Sequence, residues 1–204
     1  MADKTSPSRL EAEVRRDQLV RTVYRVMARE GVHRVPLQQI ADESGVSKGL
    51  LVYHFATKDG MVLAAMEWVL EATAARIRER IGGAEPDELI GKVLDAIWID
   101  PQANLDFFRF YLDGVEHLAR SPKFAQFGVR NREVINGLYG DVIRLGVDAG
   151  VYHVADVESA SIRMRSIIDG TFLQWLQSVD PMNSHSEYRE LCQGSLERIL
   201  LTPD

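Results

Sequence analysis

One stretch near the amino terminus, residues 36–61, constrains the fold of this chain more than any other part of the sequence. Apolar side chains recur there at helical spacing up to Ala41, and Gly45 can adopt the positive φ with which many helices end. Ser47 is suited to cap a second short helix, and Thr57 to cap a third. Two short helices joined by a glycine-containing turn form a helix-turn-helix, whose second helix lies in the DNA major groove. The stretch therefore predicts a DNA-binding unit.

The same stretch resembles the DNA-binding signature of the TetR family of bacterial regulators in the order and spacing of its residues. The matching residues are Ile40-Ala41, Gly45-Val46-Ser47-Lys48-Gly49, Leu51, Tyr53-His54-Phe55 and Lys58, with Gly31 at the end of the preceding helix. The resemblance extends only to about residue 65. It implies an all-α protein with a helix-turn-helix DNA-binding domain over residues 9–60 and a larger helical effector-binding and dimerisation domain over residues 61–204.

Two positions depart from the family pattern. Pro36 stands where the family usually has a Thr or Ser that caps the helix and touches phosphate, and Val52 stands where Tyr is usual. The second departure implies that one phosphate or base contact of the family is missing here.

A rival motif overlaps this stretch, because residues 45–49 also fit G-x-S-x-G, the nucleophile elbow of α/β-hydrolases. That elbow requires a buried strand before the Ser. The preceding residues, QQIADES, have a helical period and one polar face, which is not the pattern of a buried strand. The sequence therefore favours the helix-turn-helix.

The resemblance also implies which side chains meet DNA, near the start of the second helix of the motif. Lys48 would serve a phosphate or a guanine edge, whereas Leu50 offers only apolar contact. Lys58 would reach phosphate beside backbone N–H groups at the start of the next helix. Alternatively, Tyr53 and His54 are only surface residues of a packed three-helix unit. The candidate DNA-contacting residues are Arg15, Arg16, Gln38, Gln39, Ser47, Lys48, Gly49, Leu50, Tyr53, His54 and Lys58.

Charge is distributed in agreement with this prediction. The whole chain carries a formal charge of −6, which argues against a general nucleic-acid binder. Residues 1–58 nevertheless carry +3, and residues 59–204 carry −9. The basic part coincides with the helix-turn-helix, as an electrostatic footprint for phosphate should.

The remainder of the chain shows helical periodicity and no period-2 stretch typical of strands. The predicted helices cover residues 9–30, 58–81, 104–120, 122–148, 156–179 and 187–201, with a shorter one that starts at Pro86. In this interpretation Asp100-Pro101 only ends a helix. Four glycines within residues 122–148 suggest kinks or close helix contacts in one long helix.

Aromatic residues with a few polar neighbours mark a candidate effector site, although each of them could simply fill a core. An inward-facing Glu116 would indicate a cationic ligand, and an inward-facing Arg130 an anionic one, because a buried charge needs a partner. The sequence leaves both open. The candidate effector-binding residues are Trp98, Phe107, Phe108, Tyr111, Glu116, His117, Phe127, Arg130, Asn131, Tyr139, Met164, Phe172 and Trp175.

The last two predicted helices are apolar on more than one side, which is typical of a four-helix dimer interface. In the TetR family such a pair does form the dimer. The candidate interface residues are Ile168, Thr171, Trp175, Tyr188, Leu191, Cys192, Leu196 and Ile199.

Composition excludes other classes. A single cysteine rules out an internal disulfide and fits a reducing cytoplasm, and the five histidines show no metal-ligand spacing. No apolar run is long enough to span a membrane, and no signal segment is evident. We therefore expect a cytoplasmic protein with no cofactor, no metal and no membrane partner.

The resemblance implies a homodimeric regulator, a repressor that binds a palindromic double-stranded DNA operator and is released by a small-molecule effector. One rival is a constitutive DNA-binding protein whose carboxy-terminal domain binds a protein partner. A second is a transcriptional activator of similar build. An enzyme is disfavoured, since metal, cofactor and paired-acid motifs are lacking in the sequence.

Overall fold

The computed structural model describes residues 9–119 and 121–201, and within these ranges every regular element is helical. The predicted all-α class is confirmed. The helices are α1 (Arg9–Glu30), α2 (Leu37–Ser44), α3 (Lys48–Phe55), α4 (Lys58–Ile81), α5 (Leu89–Ile97, preceded by a 3-10 turn at Pro86–Glu88), α6 (Pro101–Leu118), α7 (Pro122–Asn131), α8 (Gly137–Asp148), α9 (Val157–Leu176) and α10 (Pro181–Leu201).

The chain divides into two compact units. The first unit contains the described residues up to Trp68 together with Arg109–Phe124. Its core includes Val23 and Met27 of α1, which recur at helical spacing and are both fully buried. Ile40 of α2 and Leu51 of α3 are also fully buried, so the two short helices are held by the hydrophobic contacts of one face each.

The second unit contains Val69–Phe108 and the described residues from Ala125 onward. Five apolar residues of α5 are buried in this unit, and the other core side chains of the unit come mainly from α8, α9 and α10. These α5 residues are Leu89, Ile90, Val93, Leu94 and Ile97. Residues 61–68, and the described residues of 109–124, thus belong to the first compact unit. The boundary between a DNA-binding and an effector-binding domain after residue 60 stays a prediction.

Two helices begin earlier than predicted, and the physical reason is the same in both. Asp100 accepts a hydrogen bond from the Ala103 N–H at 2.9 Å and caps α6 three residues before the predicted start. Asp180 accepts from the Asn183 N–H at 3.2 Å and caps α10 six residues early. In each case a proline follows at the first helical position, where its missing N–H costs nothing. The predicted end of α6 at residue 120 lies outside the described residues.

The long helix predicted over residues 122–148 is interrupted. Arg132–Asn136 form a π-helical turn between α7 and α8, and Ile135 within it is buried. The side-chain oxygen of Asn136 accepts a hydrogen bond at 3.1 Å from Arg165 of α9. A π turn inserts one extra residue into the helical register, and Gly137, one of the four glycines, directly follows it as the first residue of α8. Gly146 instead makes a close contact, with Tyr152.

The aromatic run of α6 is distributed over both units. Phe110 is buried and packs edge-to-face on Tyr24 with ring centroids 5.1 Å apart. Phe108 is buried in the second unit, whereas Phe107 and Tyr111 are half-buried. One helix thus supplies aromatic residues to the cores of both units.

Candidate nucleic-acid interface and effector site

The turn between α2 and α3 has the geometry that the sequence predicts. Gly45 adopts φ 64° and its N–H donates to the Asp42 carbonyl at 3.1 Å, while the Val46 N–H donates to the Ala41 carbonyl at 3.0 Å. Ser47 then caps α3, since its hydroxyl oxygen accepts from the Leu50 N–H at 3.2 Å. The turn of the helix-turn-helix is therefore closed by local hydrogen bonds.

Helix α3 presents a polar face to solvent. Lys48, Gly49 and Tyr53 are exposed, with Tyr53 at 81% of its full exposure, and His54 is partly exposed. Leu51 and Phe55 on the opposite face are buried. This face therefore leaves a lysine, a phenol and an imidazole free of the core.

Four residues near α3 show how the motif packs and how its helices begin. Val46 and Leu50 are only half-buried, so Val46 belongs to the edge of the core. Pro36 precedes α2 without any side-chain cap, as its departure from the family pattern implies. Thr57 caps α4, because its hydroxyl oxygen accepts from the Gly60 N–H at 3.1 Å.

The candidates on α1 and α2 are partly engaged elsewhere. The Gln38 amide donates to Asp42 at 2.8 Å, and the Gln39 amide donates to Glu43 at 3.5 Å. Arg15 and Arg16 are exposed, and the guanidinium of Arg16 lies over the Phe55 ring at 5.7 Å from its centroid. The two glutamines would have to leave a neighbouring carboxylate to reach a phosphate, whereas the arginines lie on the surface.

Lys58 has a role that the sequence did not reveal. Its ammonium donates to the carbonyl oxygens of Val35 at 3.0 Å and His33 at 3.3 Å, and burial lowers its pKa. The bonds tie the first turn of α4 to the connector before α2. No local sequence pattern pairs residues so far apart, so this contact could not be predicted.

Two candidates for the effector site, Glu116 and His117, instead join a polar cluster in the first unit. Glu116 is 75% exposed at its side chain and accepts a hydrogen bond from His33, while His117 and the Asp59 carboxylate are 2.9 Å apart. The carboxylate of Asp113 accepts from the Val32 N–H at 3.1 Å. Of the two alternatives left open by the sequence, an inward-facing Glu116 is therefore not what the structure has, because the carboxylate is exposed and paired.

Arg130, the other charge considered for the site, is also on the surface. Its guanidinium forms an ion pair with Glu71 in the second unit, and both side chains are about half exposed. Neither charge is buried, so neither indicates the charge of a ligand.

A compact aromatic group in the second unit joins four of the other effector candidates. Phe172 stacks on Trp98 with centroids 3.8 Å apart and on Phe108 with centroids 4.4 Å apart. Trp175 packs edge-on against Trp98 at 5.8 Å, and His185 lies 5.0 Å from the same indole. We call these five residues the aromatic cluster.

Polar groups at the edge of the aromatic cluster are mostly satisfied. His185 donates through Nε2 to the side-chain oxygen of Asn104 at 2.8 Å, and the Asn104 amide donates to the Ile97 carbonyl at 2.8 Å. Burial lowers the pKa of His185, which favours the neutral ring at pH 7. The indole N–H of Trp98 is the exception, because it is buried and makes no hydrogen bond of normal geometry. Its interaction with the Cys192 thiol opposes the rise that burial causes in the pKa of that thiol.

The remaining effector candidates do not all share one place. Phe107 contacts Phe108 edge-to-face at 4.8 Å, whereas Tyr111 belongs to the first unit. Phe127, Asn131, Tyr139 and Met164 are buried in the second unit, and burial raises the pKa of Tyr139. Sequence reasoning missed His185 and Asn104, which are 81 residues apart in the chain.

The candidate dimer residues divide by burial. Ile168, Thr171, Trp175, Cys192 and Leu196 are buried within this chain itself. Their assignment to a partner-facing surface is corrected, because side chains that fill the chain's own core are unavailable to a second copy. Tyr188 and Ile199 are half-buried, and Leu191 is 54% exposed.

Within the described ranges, no group of His, Cys, Asp and Glu side chains is arranged to hold a metal ion. Over the same residues, no helix combines the length and apolarity needed to cross a lipid bilayer.

The comparisons with known proteins agree with this geometry. The model of the family described as bacterial regulatory proteins, tetR family, matches residues 19–65, which include the whole helix-turn-helix. The repressor KstR2 of Mycobacterium tuberculosis is 26% identical over 90% of this chain and 94% of its own length. The regulator YerO of Bacillus subtilis is 25% identical over 76% of this chain, which spans only 53% of that relative.

A solved structure shares the fold over nearly the whole chain. The transcriptional regulator of Saccharomonospora viridis, crystallised with choline, superposes with a TM-score of 0.80 at 23% identity and covers 94% of this chain and 99% of its own. The family model, the relatives and the fold point the same way, and residues 19–65 carry the DNA-binding domain of the tetR family of bacterial regulatory proteins.

Proposed function

We propose that this protein is a homodimeric repressor that reads a palindromic operator with α3 and leaves it when a small molecule binds. The observation that carries the DNA contact is the free face of α3, where Lys48, Tyr53 and His54 are not used by the core. Arg15 and Arg16 on α1 are available for phosphate. Lys58 supports the motif by fixing the connector before α2, and its part in phosphate binding is secondary.

A dimer is supported by apolar side chains that α9 and α10 leave in solvent. Ile162 and Leu173 are exposed on α9, and Leu191 and Leu201 are exposed on α10. A Cβ built on Gly170 or on Gly194 would meet nothing within 4 Å. Such a surface suits a second copy of the chain, because apolar area on both helices would be removed from water. A two-fold dimer reads two half-sites about 34–36 Å apart.

Repression and release are supported by the relatives. KstR2 is named a repressor, and the Saccharomonospora viridis regulator was solved with choline. Release would follow from linkage, since a ligand that prefers the conformation unable to bind the operator lowers operator affinity by its differential affinity.

The aromatic cluster supports a definite class of effector. Aromatic rings bind apolar or quaternary-ammonium groups, and a ligand here would have to separate rings that stack on one another. The buried Trp98 N–H makes no hydrogen bond of normal geometry, which an acceptor oxygen of such a ligand could supply. We propose a small molecule with these two parts. Choline and its uncharged isostere 3,3-dimethyl-1-butanol are suitable probes, because they differ only in the charge of the head group.

The DNA part of the proposal is tested by selection. Immobilised protein is incubated with random double-stranded DNA, and bound fragments are amplified and sequenced over several rounds. We expect enrichment of an inverted repeat with half-sites about one helical turn apart. Enrichment of no sequence, or of a motif without two-fold symmetry, contradicts the proposal.

The effector part is tested on the indole N–H signal of Trp98 in ¹⁵N-labelled protein, assigned with Trp98→Phe. We expect one of the two probes to shift this signal and to weaken operator binding, and Trp98→Phe to reduce both effects. The Phe108→Ala variant should still bind the operator, but the effect of the probe on operator binding should change. If neither probe moves the signal nor affects operator binding, the proposed class of effector is wrong.

A further inference from the structure

The junction between α3 and α4 contains an unusual backbone conformation. Ala56 has φ 61° and ψ −50°, and among the described residues it is the one non-glycine residue with a positive φ. The other positive-φ positions are all glycines: Gly31, Gly45, Gly83 and Gly150. An L-residue with a Cβ adopts this region only at a cost, so the surrounding structure must hold Ala56 there.

Hydrogen bonds show what kind of turn this is. The Thr57 N–H donates to the Phe55 carbonyl oxygen at 2.7 Å, two residues back, which closes a classic γ-turn around Ala56. The Ala56 N–H donates to the Val52 carbonyl at 2.8 Å and completes the last turn of α3. The chain therefore reverses within a single residue, directly after the final helical bond of α3.

Gly60 completes the arrangement from the other side. A Cβ on Gly60 would overlap the Phe55 carbonyl oxygen, far inside van der Waals contact, and would lie 3.2 Å from the carbonyl carbon. The Gly60 N–H is held by the Thr57 hydroxyl at 3.1 Å. The first turn of α4 thus rests on the last carbonyl of α3, and this approach is possible only without a side chain at Gly60.

The junction is anchored by buried side chains on both flanks. Phe55 before it is 6% exposed, and Met61 after it is fully buried. The γ-turn and the close approach of Gly60 together leave α3 little freedom to rotate against α4. Helix α3 has only eight residues, so its direction depends on these end contacts more than the direction of a long helix would.

We propose that Ala56 and Gly60 are positioning residues, which set the angle of α3 against α4 and so aim Tyr53 and His54 at the bases. This inference rests on the proposed reading of DNA by α3. Tyr53 and His54 lie within one helical turn of Ala56, so a change at the junction tilts them directly. The guanidinium of Arg16 on α1 lies over the Phe55 ring, next to the junction. Contacts to phosphate nevertheless carry no sequence information, and they should depend less on the angle of α3 than contacts to base edges do.

A merely structural turn and a positioning turn make different predictions for DNA binding. If the turn only closes the fold, a variant that folds should bind operator and unrelated DNA as the natural protein does. If it aims α3, operator affinity should fall while affinity for unrelated DNA, which depends on phosphate contacts, stays the same. The ratio of the two affinities is therefore the decisive readout.

The experiment uses Gly60→Ala, with Gly91→Ala as the matched control because a Cβ there meets nothing within 4 Å. The natural protein first supplies a selected operator. We expect Gly60→Ala to lower the ratio of operator affinity to affinity for unrelated DNA at least tenfold, with unrelated-DNA affinity within twofold and helicity preserved. Gly91→Ala should leave the ratio unchanged. A folded Gly60→Ala protein with the natural ratio overturns the inference.

A pair of substitutions at Ala56 covers the case in which Gly60→Ala fails to fold. Ala56→Gly adopts the same φ without strain and should keep the ratio within threefold, whereas Ala56→Val should lower it at least tenfold. Equal ratios for the two folded variants overturn the inference. If the natural protein selects no operator at all, the proposed DNA function fails, and that result is distinguishable from a failure of the positioning role.

Discussion

The ammonium of Lys58 lies 3.0 Å from the carbonyl oxygen of Val35, so the helix that follows the recognition helix is tied to the connector that precedes the motif. A second bond to the His33 carbonyl at 3.3 Å strengthens the same link. Both ends of the helix-turn-helix are thereby fixed by one side chain. The residue that resembled a phosphate contact in sequence thus stabilises the motif before any DNA is present.

This relationship predicts a difference between the two lysines of the motif. Lys58→Met keeps the aliphatic stem but removes the donors of two carbonyls, and it should lower the free energy of unfolding by about 1–3 kcal/mol. Lys48→Met changes an exposed side chain and should change the free energy of unfolding by less than about 0.5 kcal/mol. Urea denaturation followed by circular dichroism measures both. Equal stabilities of the two variants would show that the Lys58 bonds contribute nothing.

The buried His185 predicts a pH dependence of stability. Its pKa in the folded protein lies below the unfolded value of 6.5, mainly because burial disfavours the charged ring, although Asp100 opposes this and Arg189 assists it. The unfolded chain therefore binds more protons below pH 6.5, and stability contributed by the neutral ring is lost as the pH falls from 6.5 towards the folded pKa.

The measurement compares the natural protein with His185→Gln, which replaces the titrating ring with an amide that does not titrate. Between pH 7.5 and 5.5 the natural protein should lose more free energy of unfolding than the variant, with a slope of at most about 1.4 kcal/mol per pH unit from this residue. Parallel curves for the two proteins, or a steeper loss in the variant, would contradict the assignment.

A glycine in α8 predicts a local packing limit. A Cβ on Gly146 would overlap the ring of the buried Tyr152, whereas a Cβ on Gly128 in α7 would meet nothing within 4 Å. Gly146→Ala should destabilise the protein by about 1–3 kcal/mol through overpacking. Gly128→Ala should be neutral or stabilise it by up to about 1 kcal/mol, because alanine favours the helix. Thermal unfolding of both variants tests this, and a stabilised Gly146→Ala protein would refute it.

Most of the fold could be predicted from sequence because its signals are local. Helical periodicity located α1, α4 and α5, and Gly45 with Ser47 located the turn of the motif. The starts of α6 and α10 were missed for a physical reason. An Asp-Pro pair ends one helix and caps the next, and only the hydrogen bonds of Asp100 and Asp180 distinguish the two roles.

The dimer prediction can be tested with two equally exposed residues. Leu191 on α10 and Val129 on α7 are each 54% exposed, so neither is needed by the core. Leu191→Glu should convert the dimer to monomers of about the 23.0 kDa chain mass, because a carboxylate would be desolvated in the apolar contact. Val129→Glu should remain dimeric. Light scattering at micromolar concentration decides, and a dimeric Leu191→Glu protein would contradict the proposed surface.

The candidate sites were less predictable than the fold, because their contacts join distant parts of the chain. His185 and Asn104 meet across 81 residues, and Glu116 is paired with His33 across 83. Glu116 was named as an effector candidate because it is a polar neighbour of aromatic residues. Nothing near it in the sequence specifies His33 as its partner. The buried Trp98 N–H is likewise visible only when the surroundings of the indole are known.

The central claim is that α3 binds DNA through its free face, and the salt dependence of operator binding tests it most directly. The dissociation constant for the selected operator is measured over a series of salt concentrations for the natural protein and for Lys48→Ala, which removes an exposed charge at the start of α3. If Lys48 contacts a phosphate, the variant should bind more weakly and its slope of log affinity against log salt should be shallower by about 1. Identical affinity and slope in a folded Lys48→Ala protein would contradict the assignment of α3 as the DNA-binding helix.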